Sequence, residues 1–173
     1  MRLPESKILS PDQMCAERER LREQGRSLVF TNGCFDLLHC GHVDYLTFAR
    51  EQGDTLLVGL NSDASVRRNK GAGRPLVPQS DRARVLAGLE AVDYVVIFEA
   101  DEPAALIELV VPDVLVKGAD WAHYVSGRDA VEKRGGRVVL AELTPGRSTT
   151  ALVERIVSAP DDPAASRGER HGG

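Results

Sequence analysis

Short apolar runs alternate along the chain with longer and more polar segments. The apolar runs are bounded by turn residues, which is typical of buried strands. The predicted strands lie at residues 27–32, 55–61, 93–98, 113–117 and 137–140. The predicted helices lie at residues 10–24, 41–52, 81–90, 103–110, 128–134 and 148–157. This strict alternation predicts an α/β fold, a doubly wound five-stranded parallel sheet with helices on both faces.

A long polar stretch separates the second predicted strand from the third. Residues 62–80 contain glycine and proline, and we predict a loop there. Loops of this length inside compact domains tend to be functional or disordered. The length of 173 residues predicts a single domain. We place it at residues 28–157, after a helical extension at residues 1–27 and before a tail at residues 158–173 that we expect to be disordered.

The charge and cysteine content exclude several classes of protein. With 26 acidic and 22 basic residues, the net charge is -4, which lacks the basic excess of a nucleic-acid-binding protein. No apolar run approaches the roughly 20 residues that span a bilayer, and the first residues are too polar for a secretory signal. Cys15, Cys34 and Cys40 form no C-x-x-C pair, which indicates reduced thiols. We therefore expect a cytoplasmic protein that binds neither nucleic acid nor membranes.

The segment after the first strand contains the clearest chemistry. Residues 31–42 hold neither the glycine pattern of a dinucleotide-binding fold nor that of a P-loop. Instead, His39, Gly41 and His42 lie where a helix is predicted to begin. A glycine lets the backbone approach a ligand closely, and a helix N-terminus binds phosphate oxygens. Two imidazoles can also donate hydrogen bonds to a phosphate that gains charge as it reacts.

Two other interpretations of the histidine pair stay open at this point. A zinc site needs three or four ligands, and only the thiols of Cys34 and Cys40 accompany the pair nearby. Both histidines could also be structural residues whose hydrogen bonds are satisfied in the core. We interpret the two cysteines themselves as small packing thiols rather than catalytic groups.

Several motifs occur in the order in which a known family has them. They are residues 31–42, residues 61–65, Lys70-Gly71 with Arg74-Pro75, residues 115–121, and Ser148-Thr149-Thr150. Together they resemble the cytidylyltransferase-like nucleotidyltransferases, the superfamily with the HxGH signature, over about residues 28–156. Within that superfamily, the chain is most similar to the bacterial D-glycero-β-D-manno-heptose 1-phosphate adenylyltransferases, which occur alone or fused to a sugar kinase domain. The resemblance implies a Rossmann-like fold.

The resemblance also implies a reaction. An adenylyl group would pass from ATP to D-glycero-β-D-manno-heptose 1-phosphate by in-line attack on the α-phosphate, giving ADP-heptose and pyrophosphate. We expect a homodimer, with the kinase that supplies the sugar phosphate being a separate protein. Two alternatives stay open: a cytidylyltransferase that uses CTP with glycerol 3-phosphate or a similar small phosphoalcohol, and a nucleotide-binding module without catalysis.

Individual residues acquire expected roles from the same resemblance. Catalysis is implied for His39, His42 and Lys70. Nucleotide binding is implied for Thr31, Asn32, Gly33, Phe35, Gly41, Arg74, Lys117, Gly118, Ser148, Thr149 and Thr150. Binding of the acceptor substrate is implied for Asp36, Asn61, Asp63, Asp120 and Trp121. Mg²⁺ is expected to arrive with ATP and to be held mainly by its phosphates, so we predict no dedicated metal cage in the protein.

Overall fold

The computed structural model describes residues 2–142 and 144–159, so most of the predicted tail at residues 158–173 lies outside the described residues. The strands are Leu28–Gly33 (β1), Thr55–Asn61 (β2), Tyr94–Phe98 (β3), Val114–Gly118 (β4) and Arg137–Ala141 (β5). The helices are Pro11–Glu23 (α1), Cys40–Arg50 (α2), Asp63–Lys70 (α3), Gln79–Gly88 (α4), Ala104–Val110 (α5), Arg128–Glu132 (α6) and Thr149–Val157 (α7). Short 3-10 turns lie at Pro4–Lys7 and Ala119–Trp121. In this part of the chain, no helix is both long and apolar enough to cross a membrane.

The strands form one sheet in the order β3-β2-β1-β4-β5, and every neighbouring pair is parallel. Successive residues of β1 point to opposite faces, as the period of two in a strand requires. Val29 joins a core cluster with residues of α2 and α4, whereas Leu28 and Phe30 join a second cluster with residues of α1, α5 and α6. The predicted Rossmann-like, doubly wound parallel sheet with helices on both faces is therefore confirmed.

The loop predicted at residues 62–80 is wrong in its first half, where the chain forms helix α3. The hydroxyl of Ser62 caps this helix, because its Oγ accepts a hydrogen bond from the backbone N–H of Ser65 at 3.2 Å. Only Ser65 and Val66 of the helix are buried, and its last four residues are exposed. A helix with so small a buried face has no apolar periodicity to reveal it in the sequence.

The N-terminal residues share the core of the sheet. Ile8 makes a parallel bridge to Val95 of the edge strand β3. Met14 and Leu21 of α1 are fully buried in the cluster that covers one face of the sheet. The domain boundary predicted after residue 27 stays a prediction. Helix α1, which lies before this boundary, packs against one face of the sheet.

The strand order fixes where a ligand site is expected. From β1 the chain winds first to β2 and β3 on one side, and then returns to β4 and β5 on the other. In open α/β sheets, ligands bind beyond the carboxyl ends of the strands at such a switch point. Here it lies between β1, which ends at Gly33, and β4, which ends at Gly118.

Candidate active site

Two imidazoles lie at the beginning of α2, just beyond the carboxyl end of β1. The rings of His39 and His42 are stacked, with centroids 4.0 Å apart and planes inclined by 25°. Both Nδ1 atoms are buried, and neither has a hydrogen-bond partner among the described residues. Because buried polar atoms are normally paired, two unpaired ones side by side indicate a place for a ligand. No side chain caps the start of α2, and the first N–H groups of a helix favour an anion there.

The environment of His42 keeps its ring neutral. Burial, and to a smaller extent the adjacent His39, lowers the pKa of His42 from 6.5 to about 4. The ring of Phe35 lies against it, with centroids 5.3 Å apart. A neutral imidazole has one N–H donor and one acceptor nitrogen, so at pH 7 His42 can still donate a hydrogen bond to an oxyanion.

The low pKa of His42 predicts a loss of stability in acid. Between pH 6.5 and about 4 the unfolded chain binds a proton that the folded chain excludes, so this stabilisation is complete above pH 6.5 and disappears as the pH falls through 4. We expect the free energy of urea unfolding to fall more steeply over this window in the wild type than in His42→Gln. Thr47→Ala, on the exposed face of the same helix, should keep the wild-type slope. Equal slopes for the wild type and His42→Gln would contradict this assignment.

Gly41 allows two helices to begin side by side at the imidazoles. A Cβ atom at Gly41 would lie 3.1 Å from Nδ1 of His39 and 3.1 Å from Cβ of Arg147, just before α7. At the first residue of α7, the Thr149 hydroxyl donates a hydrogen bond to the carbonyl oxygen of Leu37 at 3.3 Å. The N-termini of α2 and α7 therefore meet at one place, and both favour negative charge.

The hydroxyls at the start of α7 belong to the same region. Ser148 is the N-cap, and its Oγ accepts a hydrogen bond from the backbone N–H of Ala151 at 3.1 Å. Ser148 and Thr150 are exposed, so both hydroxyls are accessible to a ligand. Contacts of this segment with nucleotide phosphates stay a prediction.

A strained turn leads from β1 to the imidazoles. Phe35 has a φ of +45°, a left-handed conformation that residues other than glycine rarely adopt. A Cβ atom at Gly33 would lie 2.9 Å from Cε2 of the Phe35 ring, so a larger residue there would displace this ring. Strain of this kind costs on the order of 1–3 kcal/mol and is concentrated at functional sites.

A lysine borders the site on the side of β4. Nζ of Lys117 donates a hydrogen bond to Oδ1 of Asn32, across the neighbouring carboxyl ends of β4 and β1. Burial lowers the pKa of Lys117 to about 8, although the negative charges of Glu102 and Asp120 act in the opposite direction. The structure thus brings Asn32 and Lys117, two of the predicted nucleotide-binding residues, together at the switch point.

The residues that follow β4 are open to solvent. Gly118 ends the strand and is buried, whereas Asp120 is exposed in the 3-10 turn that follows. The Trp121 side chain in this turn is 52% exposed, and its ring stacks on that of His123 at a centroid distance of 6.3 Å. An exposed indole at the carboxyl edge of the sheet is available for stacking against a ligand.

Asp36 joins the segment after β1 to the segment before α4. Its Oδ1 accepts hydrogen bonds from the backbone N–H groups of Leu76 at 2.8 Å and Val77 at 3.0 Å. Its Oδ2 is 3.1 Å from Nη1 of Arg74, an ion pair whose atoms are not aligned for a hydrogen bond. The Asp36 side chain is only 5% exposed. It therefore holds the segment of Arg74 next to the segment after β1, which leads to the two histidines.

Positive charge is concentrated between these two segments, around Cys34. Burial raises the pKa of the Cys34 thiol, and the charges of Lys70, Arg82 and Arg74 act against that rise. Lys70 is the last residue of α3, and its side chain is exposed. Of these three cations, Arg82 and Arg74 are paired with Asp63 and Asp36, whereas the exposed Lys70 is open to an anionic ligand.

Three of the predicted site residues use their side chains inside the fold. Thr31 is fully buried, and its hydroxyl shares a hydrogen bond with that of Tyr45 at 2.7 Å. The amide of Asn61 donates a hydrogen bond to a serine hydroxyl of α3 at 2.9 Å. The carboxylate of Asp63 pairs with Arg82 at 2.7 Å. Ligand contacts of these three side chains stay predictions. Their observed contacts hold the ends of β1 and β2 and the start of α3 in place.

None of the sequence motifs includes Arg82, although this residue contacts the segment after β1 through the carbonyl oxygen of Cys34. Its side chain is 0% exposed. It belongs to the buried face of α4 together with Ala83, Leu86 and Ala87. Arginine is almost never fully buried unless its charge is paired. An arginine within the apolar face of a predicted helix is therefore the signal that could have identified it.

No carboxylate cage for a metal ion is present in the part of the chain that the structure describes, since no three histidine, cysteine, aspartate or glutamate side chains are grouped suitably. The buried carboxylate of Asp36 is occupied by two backbone N–H groups and Arg74. Mg²⁺ retains several waters and binds readily to phosphate oxygens. Delivery of Mg²⁺ on the phosphates of a nucleotide stays the prediction.

The parallel sheet, the switch point and the paired helix N-termini define an α/β protein with a candidate ligand site at the carboxyl ends of its strands. A family model described as cytidylyltransferase-like matches residues 30–161, most of the chain. The chain therefore belongs to the cytidylyltransferase-like family.

Curated relatives match most of this chain. The "Bifunctional protein HldE" of Citrifermentans bemidjiense is 52% identical over 156 residues, which are 90% of this chain and 32% of the relative. The protein of the same name from Magnetococcus marinus is 59% identical over 138 residues, 79% of this chain and 28% of the relative. The chain thus spans about a third of the length of the curated relatives that it matches.

Solved structures show the same fold. A lipopolysaccharide core biosynthesis protein from Thermoplasma volcanium GSS1 aligns with a TM-score of 0.57 at 26% identity, covering 69% of this chain and 98% of that one. A pantoate–β-alanine ligase from Francisella tularensis aligns with a TM-score of 0.58 at 16% identity, covering 83% of this chain and 68% of that one. At such low identity, the second likeness concerns the fold alone.

Proposed function

We propose that this chain transfers the adenylyl group of ATP to D-glycero-β-D-manno-heptose 1-phosphate, with release of pyrophosphate. The observation that supports the transfer is the stacked pair His39 and His42, whose buried Nδ1 atoms have no partner within the described residues at a helix N-terminus. Two further facts support the choice of nucleotide and acceptor. The ordered motifs resemble heptose 1-phosphate adenylyltransferases, and the HldE relative from Citrifermentans bemidjiense matches over 156 residues.

The reaction needs little proton chemistry from the protein. An oxygen of the sugar phosphate attacks the α-phosphorus of ATP and forms a new P–O bond. The bond from the α-phosphorus to the bridging oxygen of the β-phosphate breaks on the opposite side, and pyrophosphate leaves with the electron pair. Because the attacking oxygen is already anionic, no base has to remove a proton. The task that remains for the protein is positioning and charge stabilisation.

The residues around the switch point match this task. His39 and His42 donate hydrogen bonds to phosphate oxygens whose charge grows during the transfer. The N-termini of α2 and α7 hold the nucleotide phosphates, with Ser148 contributing its hydroxyl. Lys70 and Arg74, on the segment that Asp36 fixes beside the imidazoles, neutralise the departing pyrophosphate. When bound, Mg²⁺ supplies further neutralisation of the phosphates.

The acceptor is expected on the side of β4. Lys117 lies there beside Asn32 and stays assigned to the nucleotide, since its ammonium group can pair with a nucleotide phosphate. Asp120 and Trp121 follow in an exposed turn. A carboxylate accepts hydrogen bonds from sugar hydroxyls, and an indole ring stacks on the apolar face of a sugar.

A matrix of substrates tests the proposed function. Pyrophosphate release is measured with ATP, CTP and GTP, each against heptose 1-phosphate, glucose 1-phosphate and glycerol 3-phosphate, in the presence of Mg²⁺. We expect the highest kcat/KM for ATP with heptose 1-phosphate. A preference for CTP with glycerol 3-phosphate would replace the proposal by the cytidylyltransferase alternative. Binding of ATP without pyrophosphate release from any acceptor would instead indicate a nucleotide-binding module.

A further inference from the structure

One buried guanidinium connects the segments that form the walls of the site. Nη1 of Arg82 donates hydrogen bonds to the carbonyl oxygens of Cys34 at 2.5 Å and Asn61 at 3.0 Å. Its Nε donates to the carbonyl oxygen of Val77 at 2.9 Å, and its Nη2 to Oδ1 of Asp63 at 2.7 Å. These four acceptors belong to the segment after β1, the end of β2, the start of α3 and the segment before α4.

The contacts of Arg82 continue into those of Asp36. Val77 accepts a hydrogen bond from Arg82 through its carbonyl oxygen and donates one to Asp36 through its N–H group. Asp36 lies two residues after Cys34, whose carbonyl oxygen also accepts from Arg82. Arg82 and Asp36 therefore connect the segment after β1, which leads to the two histidines, with the segment before α4. Arg74, in this second segment, pairs with Asp36.

We propose that Arg82 is a positioning residue for nucleotidyl transfer. It holds the two histidines at a fixed position relative to the cationic segment, residues 70–77, which contains Lys70 and Arg74. This inference rests on the proposed function. Arg82 does not reach the reacting atoms, since its side chain is fully buried. Its hydrogen bond to the Cys34 carbonyl oxygen fixes the backbone that leads to Phe35 and the histidines. Its hydrogen bond to the Val77 carbonyl oxygen fixes the cationic segment.

The geometry of the guanidinium explains why arginine is needed here. Its five N–H groups point in fixed directions in one plane, and four of them are used. A lysine has a single compact ammonium group, which cannot reach acceptors on four segments at once. Displacements of about 1 Å in a site that works by positioning can lower turnover by about 10²-fold. The charge itself is balanced by Asp63, which keeps Arg82 from acting as a free cation.

The test compares Arg82→Ala and Arg82→Lys with Arg84→Ala. Arg84 lies on the same helix, is 69% exposed and pairs only peripherally with Glu5. We expect Arg82→Ala to lower kcat by about 10–100-fold per folded molecule while the KM for ATP changes much less. Arg82→Lys should lower kcat nearly as much, and Arg84→Ala should not. Millimolar guanidinium ion, far below denaturing concentration, should restore part of the turnover of Arg82→Ala alone.

A second readout does not depend on any substrate. In NMR spectra, the imidazole signals of His39 and His42 should shift in both Arg82 variants and stay unchanged in Arg84→Ala. Absence of transfer by the wild type would contradict the proposed function, and these signals would still decide the role of Arg82. A folded Arg82→Lys variant with wild-type kcat and unshifted histidine signals would overturn the inference. If Arg82→Ala does not fold, Arg82→Lys decides by the same criteria.

Discussion

Replacement of His42 by alanine is expected to lower the turnover of the transfer reaction by about 10²–10³, the loss typical of removing one transition-state hydrogen-bond donor. The imidazole is neutral at pH 7 because burial lowers its pKa to about 4. It therefore stabilises the developing charge by a hydrogen bond rather than by its own charge. The affinity for ATP should fall much less, because the bond strengthens mainly as the oxygens gain charge.

Two variants separate the chemistry of His42 from its packing against Phe35. His42→Asn keeps an N–H donor close to the position of Nδ1 and should retain more turnover than His42→Ala. Thr47→Ala changes an exposed residue of the same helix and should be as active as the wild type. Steady-state kcat and KM for both substrates are measured on protein whose folding is checked by thermal unfolding. Wild-type turnover in His42→Ala would exclude the proposed role.

The pattern of the sequence predicted the sheet well because four of its five strands are mostly buried on both faces, the edge strand β5 being the exception. β2 is buried at all seven positions, so the sequence shows an apolar run with clear ends. Helix α3 could not be predicted in the same way. Its fold depends on the Ser62 cap and on a burial of Ser65 that only the tertiary structure produces.

The site could be predicted where the backbone itself imposes residue types. Glycine is favoured at position 41 by the close approach of Arg147 and His39, and at position 33 by the Phe35 ring. Such steric constraints place glycines at fixed positions, which can be recognised in the sequence. Asp36 and Arg82 differ in this respect, because most of their partners are distant backbone groups that any residue could supply. Their role becomes visible only when the segments are brought together.

The positions of the four lysines lead to the second large effect. Lys70 and Lys117 lie at the carboxyl edge of the sheet beside the site, whereas Lys133 follows α6 just before β5 begins at the opposite edge. Lys7 donates to the carbonyl oxygens of Leu89 and Val92 and is thus used in the fold. In a chain of net charge -4, attraction of two anionic substrates depends on such local concentrations of cations.

Replacement of Lys70 by alanine is expected to lower turnover by about 10², because a cation that neutralises departing pyrophosphate acts most strongly when charge develops. Its side chain is exposed at the end of α3, so the free energy of unfolding should change by less than about 0.5 kcal/mol. Lys133→Ala removes the same charge from an exposed position at the other edge and serves as the matched control. Lys70→Arg keeps the charge and should retain more turnover than Lys70→Ala.

The salt dependence of the reaction distinguishes a direct contact from a general field. A lysine that only raises the local potential would affect kcat/KM through association, and its loss would be compensated at saturating substrate. A lysine that contacts the phosphates in the transition state lowers kcat itself, at saturating ATP and acceptor and at every salt concentration. We expect the second behaviour for Lys70→Ala and neither effect for Lys133→Ala. Full recovery of kcat at saturation would show that Lys70 attracts the nucleotide without taking part in the transfer.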